Sequence, residues 1–383
     1  MGGSLNLGKI FNIQVRLHYS WFIIFILITW GLAASYFPAT YPTWSLTTKI
    51  AAGIITSLLF FASVLAHELA HSLVGRANGI PIKSITLFIF GGVAQMTREA
   101  TKASAELKMA AAGPACSLAI GGIFGLIWFL TMDTLEPLAA MSFYLALANG
   151  LLAAFNLIPG FPLDGGRVFR SVLWRTTGNY GRSTRIAAQV GRGVAYAFIL
   201  GGILIMFLLR DWLSGLWMAF IGWFLDNAAS MSYRQAQWRE ALHGLIASQM
   251  MTSDYAVVPP DITVSQLVQE HILPKGHHLF LVAEEDRFKG ILTLQNIKPV
   301  PQSKWDMTQV EKIMVPADRL KVASPEQDAL SIVEQMDENE INLIPVVSEG
   351  RVIGLITRDN LLRFLRTRAE LGIESISHPR RQK

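Results

Sequence analysis

His67-Glu68-Leu69-Ala70-His71 lies within an apolar segment, residues 50–74, that is long enough to cross a lipid bilayer as a helix. Ionisable side chains at bilayer depth are costly unless they are paired, so they usually mark a functional site. On a helix, residues four apart share a face, and two imidazoles so placed can bind one Zn²⁺ ion. Glu68, beside them, can then act as a general base on water that the metal activates. The pentad therefore predicts a zinc site inside a membrane-spanning helix.

Two simpler explanations of the pentad were weighed against the metal site. A chance match is the first, but most chance matches lie on solvated helices. A purely structural role for Glu68 is the second, and it would require a cationic partner nearby. The nearest basic residues in the sequence, Lys49 and Arg76, lie towards the two ends of the apolar segment. The sequence thus favours the metal site.

The composition indicates a membrane protein with a second, soluble part. Of the 383 residues, 51% are hydrophobic and only 16% are charged, which is unusual for soluble domains. The apolar runs end near residue 232, so we expect a membrane domain over 1–232, a linker over 233–244, a soluble domain over 245–371 and a basic tail over 372–383. The net charge is +5, and the positions of the basic residues suggest a role in membrane topology. We therefore expect no nucleic-acid partner.

Six apolar runs are long enough to span the bilayer. They cover about residues 20–37, 50–74, 105–131, 139–158, 186–209 and 212–229. The first run is too long for the apolar part of a typical signal peptide, so we expect it to be a span. The resulting expectation is a polytopic α-helical domain in contact with the lipid bilayer.

Basic residues are concentrated in the loops on one side of these spans. Those loops contain Arg76, Lys83, Arg98, Lys102, Arg167, Arg170, Arg175, Arg182 and Arg185. The loops on the other side hold only Lys49 and Arg210 at their edges, together with the acidic Asp133 and Glu136. The positive-inside rule therefore predicts a multi-pass protein of the cell membrane with both termini in the cytoplasm. The pentad would then lie near the cytoplasmic end of its helix.

Two segments on the same side lack helical periodicity. Residues 13–17 alternate between apolar and polar, and residues 82–90 are rich in β-branched and aromatic side chains and precede Gly91-Gly92. The alternation and the glycine pair predict a β-hairpin that continues to residue 96, with an amphipathic connector as the alternative. Strand edges cannot face lipid, so a hairpin here must be buried in protein, line a wet cavity or lie at the interface. Gly113-Pro114, in the third run, predicts helix packing and no catalytic role.

A second constellation follows the fourth run, at Asn156-Leu157-Ile158-Pro159-Gly160-Phe161-Pro162-Leu163-Asp164-Gly165-Gly166-Arg167. The two prolines end the helix, so Asp164 is expected in a non-helical segment at the depth of the pentad. A catalytic zinc has three protein ligands and one open position, and Asp164 is the natural third ligand. Asp164 can instead cap a helix over 165–174, with Arg167 as its partner one turn later. The presence of the pentad favours the ligand role.

Together, the pentad on an apolar helix, the glycine-pair hairpin and the Asn156 to Gly166 motif resemble the site-2 protease family of intramembrane zinc metalloproteases. The resemblance extends over about residues 1–230 and includes Gly8-Lys9-Ile10-Phe11 and Arg16-Leu17-His18 before the first span. It implies one zinc ion per chain and a substrate that is a single-span membrane protein. It also implies that the hairpin offers a strand edge to that substrate.

The resemblance assigns roles to five side chains. The implied zinc ligands are His67, His71 and Asp164, and the implied catalytic residue is Glu68, which activates the water. Asn156 would lie close to the scissile peptide and hold it by hydrogen bonds.

The soluble part contains an internal repeat of about sixty residues, over about 245–300 and 308–368. Met250-Met251-Thr252 and Gly290-Ile291-Leu292-Thr293 mark the first copy, and Ile313-Met314-Val315-Pro316 and Gly354-Leu355-Ile356-Thr357 mark the second. Each copy predicts a leading strand, a helix (264–271 and 329–339), two short strands and a closing helix. This α/β pattern resembles a tandem cystathionine-β-synthase (CBS) pair, which implies a regulatory module.

The resemblance to CBS pairs leaves ligand binding open. Such pairs often bind adenine nucleotides through an Asp three residues after the Thr, but Thr293 is followed by Asn296 and Thr357 by Asn360. Weak nucleotide binding and a purely structural or dimerising pair, which would make the chain a homodimer, are both consistent with the sequence.

The motifs, the spans and the repeat suggest three candidate functions. The first is an intramembrane zinc protease that cuts transmembrane segments near the cytoplasmic face and is regulated by the CBS pair. The second is a CBS-gated transporter or channel, which usually has two corresponding halves with broken helices, and no such repeat is evident here. The third is a non-enzymatic homologue, which predicts loss of Glu68 or of a ligand, whereas all four residues are present.

Overall fold

The computed structural model describes residues 3–96, 100–242, 244–284, 287–339 and 341–371. The chain divides into two compact units, Met1–Gln237 and Trp238–Lys383. Arg98, one of the basic loop residues, and the predicted basic tail over 372–383 lie outside the described residues.

The first unit combines long helices with one small sheet. In chain order its elements are β1 (Ser4–Ile10), β2 (Ile13–His18), α1 (Ser20–Gly31), a π-helical segment (Leu32–Tyr36), α2 (Phe37–Thr40), α3 (Leu46–Ala77), β3 (Ile82–Phe88), β4 (Gly91–Met96), α4 (Ala103–Thr131), α5 (Glu136–Asn156), α6 (Asp164–Thr177), α7 (Tyr180–Leu208) and α8 (Trp212–Leu242). Residues 233–242 of the predicted linker are the last turns of α8.

Five helical segments of the described chain are long and apolar enough to cross a membrane. They are Ser20–Thr40, Leu46–Ala77, Ala103–Thr131, Glu136–Asn156 and Tyr180–Leu208. Large apolar side chains such as Trp30, Leu126 and Leu200 are exposed on them, as expected for helices that face lipid. The predicted sixth run, 212–229, forms the first part of α8 but is not among these five, so its crossing of the membrane stays a prediction.

The pentad helix, α3, starts and ends at identifiable signals. Ser45 caps its start, where the Ser45 hydroxyl accepts a hydrogen bond from the Thr48 amide at 3.1 Å. Its end is followed by Gly79, whose φ of 82° lies in the left-handed region. Small residues let it approach α1 closely, since a Cβ at Gly53 would lie 3.2 Å from the Thr29 carbonyl oxygen of that helix.

The sheet of the first unit has the order β1-β2-β3-β4. β2 and β3 are parallel, with Gln14 opposite Ser84, and β3 and β4 are antiparallel. The turn between β3 and β4 consists of residues 89–90, so Gly91 and Gly92 are the first residues of β4 rather than the turn itself. One face of the sheet packs on α1 and α3 through a buried cluster that includes Ile13, Trp21, Phe61, Val64 and Ile85. β4 therefore lies beside the pentad helix at the end of the sheet, and no strand of the described residues pairs with its outer edge.

The second unit is an α/β domain made of two similar halves. Its elements are α9 (Ala247–Met250), β5 (Ala256–Val258), α10 (Val264–Leu267), β6 (Leu279–Glu284), β7 (Arg287–Thr293), α11 (Leu294–Ile297), β8 (Val315–Pro316), α12 (Ala329–Glu338), β9 (Leu343–Ser348), β10 (Arg351–Thr357) and α13 (Arg358–Glu370). One core forms around Phe280 and Leu292, and the other around Ile344 and Ile356.

The two halves exchange their leading segments. β8 begins the second repeat but pairs with β7 of the first, in the sheet order β5-β6-β7-β8. Thr252, at the start of the first repeat, exchanges backbone hydrogen bonds of 2.8 and 2.9 Å with Leu355 of the second. Each leading segment therefore pairs with a strand of the other repeat.

Two equivalent glycines explain this exchange. A Cβ at Gly290 would overlap the Val315 carbonyl oxygen, and a Cβ at Gly354 would overlap the Met251 side chain. Each glycine thus leaves room for the leading segment of the other repeat.

Candidate metal centre

The two histidines of the pentad and the distant aspartate come together at one point. The His67 and His71 Nε2 atoms are 3.1 Å apart, and they lie 3.1 and 3.0 Å from Asp164 Oδ2. The three side chains are only 5%, 12% and 17% exposed. They form the group of potential metal ligands found among the described residues, with all ligand atoms within 4.8 Å of one another.

Asp164 reaches the histidines because of how the chain turns after α5. α6 begins at Asp164 itself, and its N-cap is Leu163, whose backbone is extended. A Cβ at Gly165 would overlap the Leu157 carbonyl oxygen, and a Cβ at Gly166 would overlap the backbone of Gly160. The glycine pair therefore lets the first turn of α6 lie directly on the preceding loop, which directs the Asp164 carboxylate at the pentad.

Two expectations about Asp164 need correction. It is the first residue of a helix rather than part of a non-helical segment, because the two prolines end α5 without preventing a new helix from starting immediately. It also does not cap that helix, since no side-chain hydrogen bond caps α6 and the carboxylate faces the histidines. Arg167, the suggested partner, instead points its Nη1 at Met96 Sδ, 3.8 Å away.

Both imidazoles are oriented from the opposite side by α4. His71 Nδ1 donates a hydrogen bond to the Met109 carbonyl oxygen at 2.7 Å, and His67 Nδ1 lies 2.9 Å from Ser117 Oγ. A carbonyl oxygen only accepts, so His71 carries its proton on Nδ1 and leaves the Nε2 lone pair for a metal. Outer hydrogen bonds of this kind fix the tautomer and orientation of metal-binding histidines.

The donor set fits a catalytic zinc. Ligand atoms bound tetrahedrally at 2.0–2.1 Å are separated by about 3.3 Å, close to the spacing of the three atoms here. Burial by itself raises the pKa of the Asp164 carboxyl, but the neighbouring His67 and His71 imidazoles lower it by more, so the carboxyl is ionised as a ligand must be. Two nitrogens and one carboxylate oxygen leave a fourth position open.

Glu68 and Asn156 occupy different positions around this centre. Glu68 follows His67 on α3 and is partly buried against β4, where a Cβ at Gly92 would overlap its carboxyl group. Asn156 is the last residue of α5, and its Nδ2 donates to the Leu152 carbonyl oxygen at 2.9 Å within the same helix. Among the described residues, no hydrogen bond joins Asn156 to the three ligands.

Sequence reasoning missed two residues that touch the histidines. Ser117 was not singled out, although a serine in an apolar helix is a signal for a polar partner. Gly113 was assigned to helix packing, but a Cβ there would overlap Nε2 of both histidines.

Comparisons with known proteins identify the family of the first unit and the domains of the second. Residues 55–141 and 133–201 match the sequence model described as peptidase family M50, and residues 247–300 and 310–367 match that of the CBS domain. A Synechocystis sp. protein named "Putative zinc metalloprotease" is 33% identical over 374 residues, which cover 96% of this chain and 97% of that protein. The chain belongs to the M50, or site-2 protease, family.

Further members and a solved structure are similar to this M50 chain. A protein named as a zinc metalloprotease from Methanocaldococcus jannaschii is 29% identical, with 95% of this chain and 97% of that protein covered. The solved structure of a site-2 protease from the same organism is 31% identical, with a TM-score of 0.42, and covers 60% of this chain and 95% of that one.

Membership of this family distinguishes the protease from the other candidate functions. This M50 member is an intramembrane zinc metalloprotease with several membrane-spanning helices and an attached CBS regulatory module. The alternative of a CBS-gated transporter or channel is therefore wrong.

Proposed function

We propose that this chain hydrolyses peptide bonds in membrane-embedded segments of other proteins, at a zinc ion held by His67, His71 and Asp164. The observation that carries the proposal is the convergence of the three ligand atoms, 3.0–3.1 Å apart, from two helices that are far apart in the sequence. α3, which provides both histidines, is also long and apolar enough to cross the membrane.

The residues around the proposed zinc ion have different roles in the reaction. Zinc bound at this site lowers the pKa of water and polarises a peptide carbonyl. Glu68, which follows His67 on α3, is the proposed acceptor of the proton of the attacking water and would pass it to the leaving amine. The Met109 carbonyl keeps His71 in the tautomer that binds metal, and the Ser117 hydroxyl orients the His67 ring.

The free edge of β4 is the proposed binding surface for the substrate. A peptide bond inside a transmembrane helix is shielded by its own hydrogen bonds, so the substrate must unwind locally before it can be cleaved. Pairing of the unwound segment with β4 offsets the lost hydrogen bonds. β4 has one neighbour in the sheet, β3, and its residue Gly92 lies against Glu68. A single-span membrane protein whose helix can reach this edge fits as substrate.

Asn156 is proposed to hold the substrate from the other side. It ends α5, at the start of the loop that leads to Asp164. Its amide is engaged only within its own helix among the described residues, so exchange of that bond for one to a substrate carbonyl costs little.

The proposed topology has six spans, with 212–229 as the sixth, and both termini in the cytoplasm. The basic loop residues, Arg175, Arg182 and Arg185 among them, support this orientation. Cleavage then takes place near the cytoplasmic face. The proposed domains are 1–232 for the protease, 233–244 for the linker and 245–371 for the CBS pair.

The CBS pair is proposed to regulate the protease with a nucleotide that binds weakly or is dispensable, and to support a homodimer. Asn296, which replaces the ribose-binding Asp, is already used locally: its Oδ1 accepts hydrogen bonds from the Thr293 amide at 3.0 Å and hydroxyl at 2.8 Å. At the equivalent position, the backbone N–H of Asn360 donates a hydrogen bond to Thr357 Oγ1 at 3.2 Å.

The decisive experiment measures zinc and cleavage in the same preparations. Purified full-length protein in lipid nanodiscs is incubated with single-span substrates, with and without a zinc chelator. We expect Glu68→Gln to bind one zinc ion per chain but to lose cleavage by about 10²–10⁴-fold, because only the proton acceptor is removed. Asp164→Ala should lose zinc as well. Near-normal proteolysis by Glu68→Gln would contradict the assignment.

A further inference from the structure

Two glycines lie directly against the catalytic side chains. A Cβ at Gly113, on α4, would lie 2.6 Å from His67 Nε2 and would also overlap the His71 ring. A Cβ at Gly92, on β4, would lie 2.7 Å from Cδ and 2.8 Å from Oε1 of Glu68. Cβ atoms essentially never approach other atoms within 3.0 Å, so neither position can hold a larger residue without moving these side chains.

Neither glycine is required by its own backbone. Gly92 and Gly113 are not among the glycines with positive φ, whereas Gly91 is, at 125°. Glycine weakens the interior of helices and strands, so its presence at 92 and 113 needs another reason. Gly122, in the same helix as Gly113, shows the contrast, because a Cβ there would meet nothing within 4 Å.

We propose that Gly92 and Gly113 are positioning residues of the active site. The bare backbone at Gly113 supports the two imidazoles at the metal position. The bare backbone at Gly92 lets β4 lie on the Glu68 carboxylate, which places the proton acceptor next to the strand that receives the substrate. The inference rests on the proposed function. It adds two residues that determine the positions of the histidine ligands and of the base, Glu68.

The contacts predict separate effects for the two positions. In both cases the atoms that a methyl group would meet belong to the ends of side chains, so the side chain moves and the backbone can stay. At position 113 the displaced groups are metal ligands, and metal binding should suffer. At position 92 the displaced group is the base, and proton transfer should suffer while metal binding is kept.

The first test compares Gly113→Ala and Gly92→Ala with Gly122→Ala, in full-length protein purified in nanodiscs. We expect Gly113→Ala to bind zinc at least about tenfold more weakly in a chelator competition. Gly92→Ala should bind one zinc ion with wild-type affinity but lose about a hundredfold in kcat, with KM little changed. Gly122→Ala should match the wild type in both. Wild-type zinc affinity in Gly113→Ala together with wild-type kcat in Gly92→Ala would overturn the inference.

A second test depends on neither zinc nor activity. We expect Gly92→Ala to lower the melting temperature of the chain that has Glu68, but not that of a Glu68→Ala chain, where the methyl group enters space that the carboxylate has left. Additive effects of the two substitutions would refute the steric contact. If the two substitutions are non-additive but the wild-type chain neither binds zinc nor cleaves, the steric contact is supported and the proposed function is refuted instead.

Discussion

One side chain and one backbone carbonyl on α4 orient His67 and His71, the two proposed metal ligands. Ser117 lies 2.9 Å from His67 Nδ1 and is fully buried, so the two groups satisfy each other's hydrogen-bonding capacity. The equivalent partner of His71 is a backbone carbonyl, that of Met109, which a substitution cannot remove. Ser117 is therefore the position at which the orientation of the ligands can be tested by mutation.

We expect Ser117→Ala to weaken zinc binding by about 10–100-fold, because His67 loses the hydrogen bond that orients its ring. Competition with a chromogenic chelator measures this directly. Ser104→Ala provides a control, since Ser104 is exposed near the start of the same helix. Equal zinc affinities of the two variants would show that the hydrogen bond has no role in metal binding.

At the scale of elements, a buried ion pair ties the helix of Asp164 to the helix that supports the histidines. Arg170 on α6 and Glu106 on α4 form this pair, with side chains that are 10% and 1% exposed. The guanidinium also lies 4.8 Å from the Phe161 ring and 4.7 Å from the Tyr180 ring. The pair fixes α6 relative to α4 six residues after the ligand.

We expect Arg170→Met to lower the apparent melting temperature by roughly 10 °C, because it removes the buried guanidinium that offsets the charge of Glu106. Zinc affinity should fall as well, since Asp164 is on the same helix. Thermal unfolding and zinc competition measure the two effects. The double variant Arg170→Met/Glu106→Met should recover part of the stability.

A control for this prediction is Arg192→Met, because Arg192 pairs with Asp226 at 3.0 Å but is 47% exposed. A similar loss of stability in both arginine variants would argue against a special role for the buried pair.

For the whole molecule, the orientation in the membrane decides from which side the active site is reached. We expect cysteines at Thr43 and Arg182, both exposed, to react with an impermeant maleimide from opposite sides of the membrane, in a Cys116→Ala background. The reason is the concentration of basic residues around Arg182 and its neighbours. Labelling of both positions from the same side would contradict the proposed orientation.

Nucleotide control is the second property of the whole molecule. An Asp can accept hydrogen bonds from both ribose hydroxyls and carries a charge, so we expect Asn360→Asp to tighten ATP or AMP binding by about five- to thirtyfold, or about 1–2 kcal/mol. Calorimetry on the full-length chain measures this, with the exposed Asn339→Asp as the matched control. Submicromolar binding by the wild-type chain would contradict weak binding.

The chemical identity of this protein was readable from the sequence because it depends on local patterns. Two histidines four residues apart in an apolar run, and an aspartate after two prolines, specify donor atoms and depth without knowledge of the packing. The repeat in the second unit was visible for the same reason, since similar spacing of glycine and threonine implies similar folding.

The tertiary structure decided everything that depends on contacts between distant segments. Ser117 is 50 residues from His67, and Asp164 is 97 residues away, so no periodicity links them. The parallel pairing of β2 with β3, the exchange of leading segments between the CBS repeats and the approach of Gly92 to Glu68 likewise follow from how helices and strands pack. Packing is set by the fit of whole surfaces, which a single stretch of sequence does not contain.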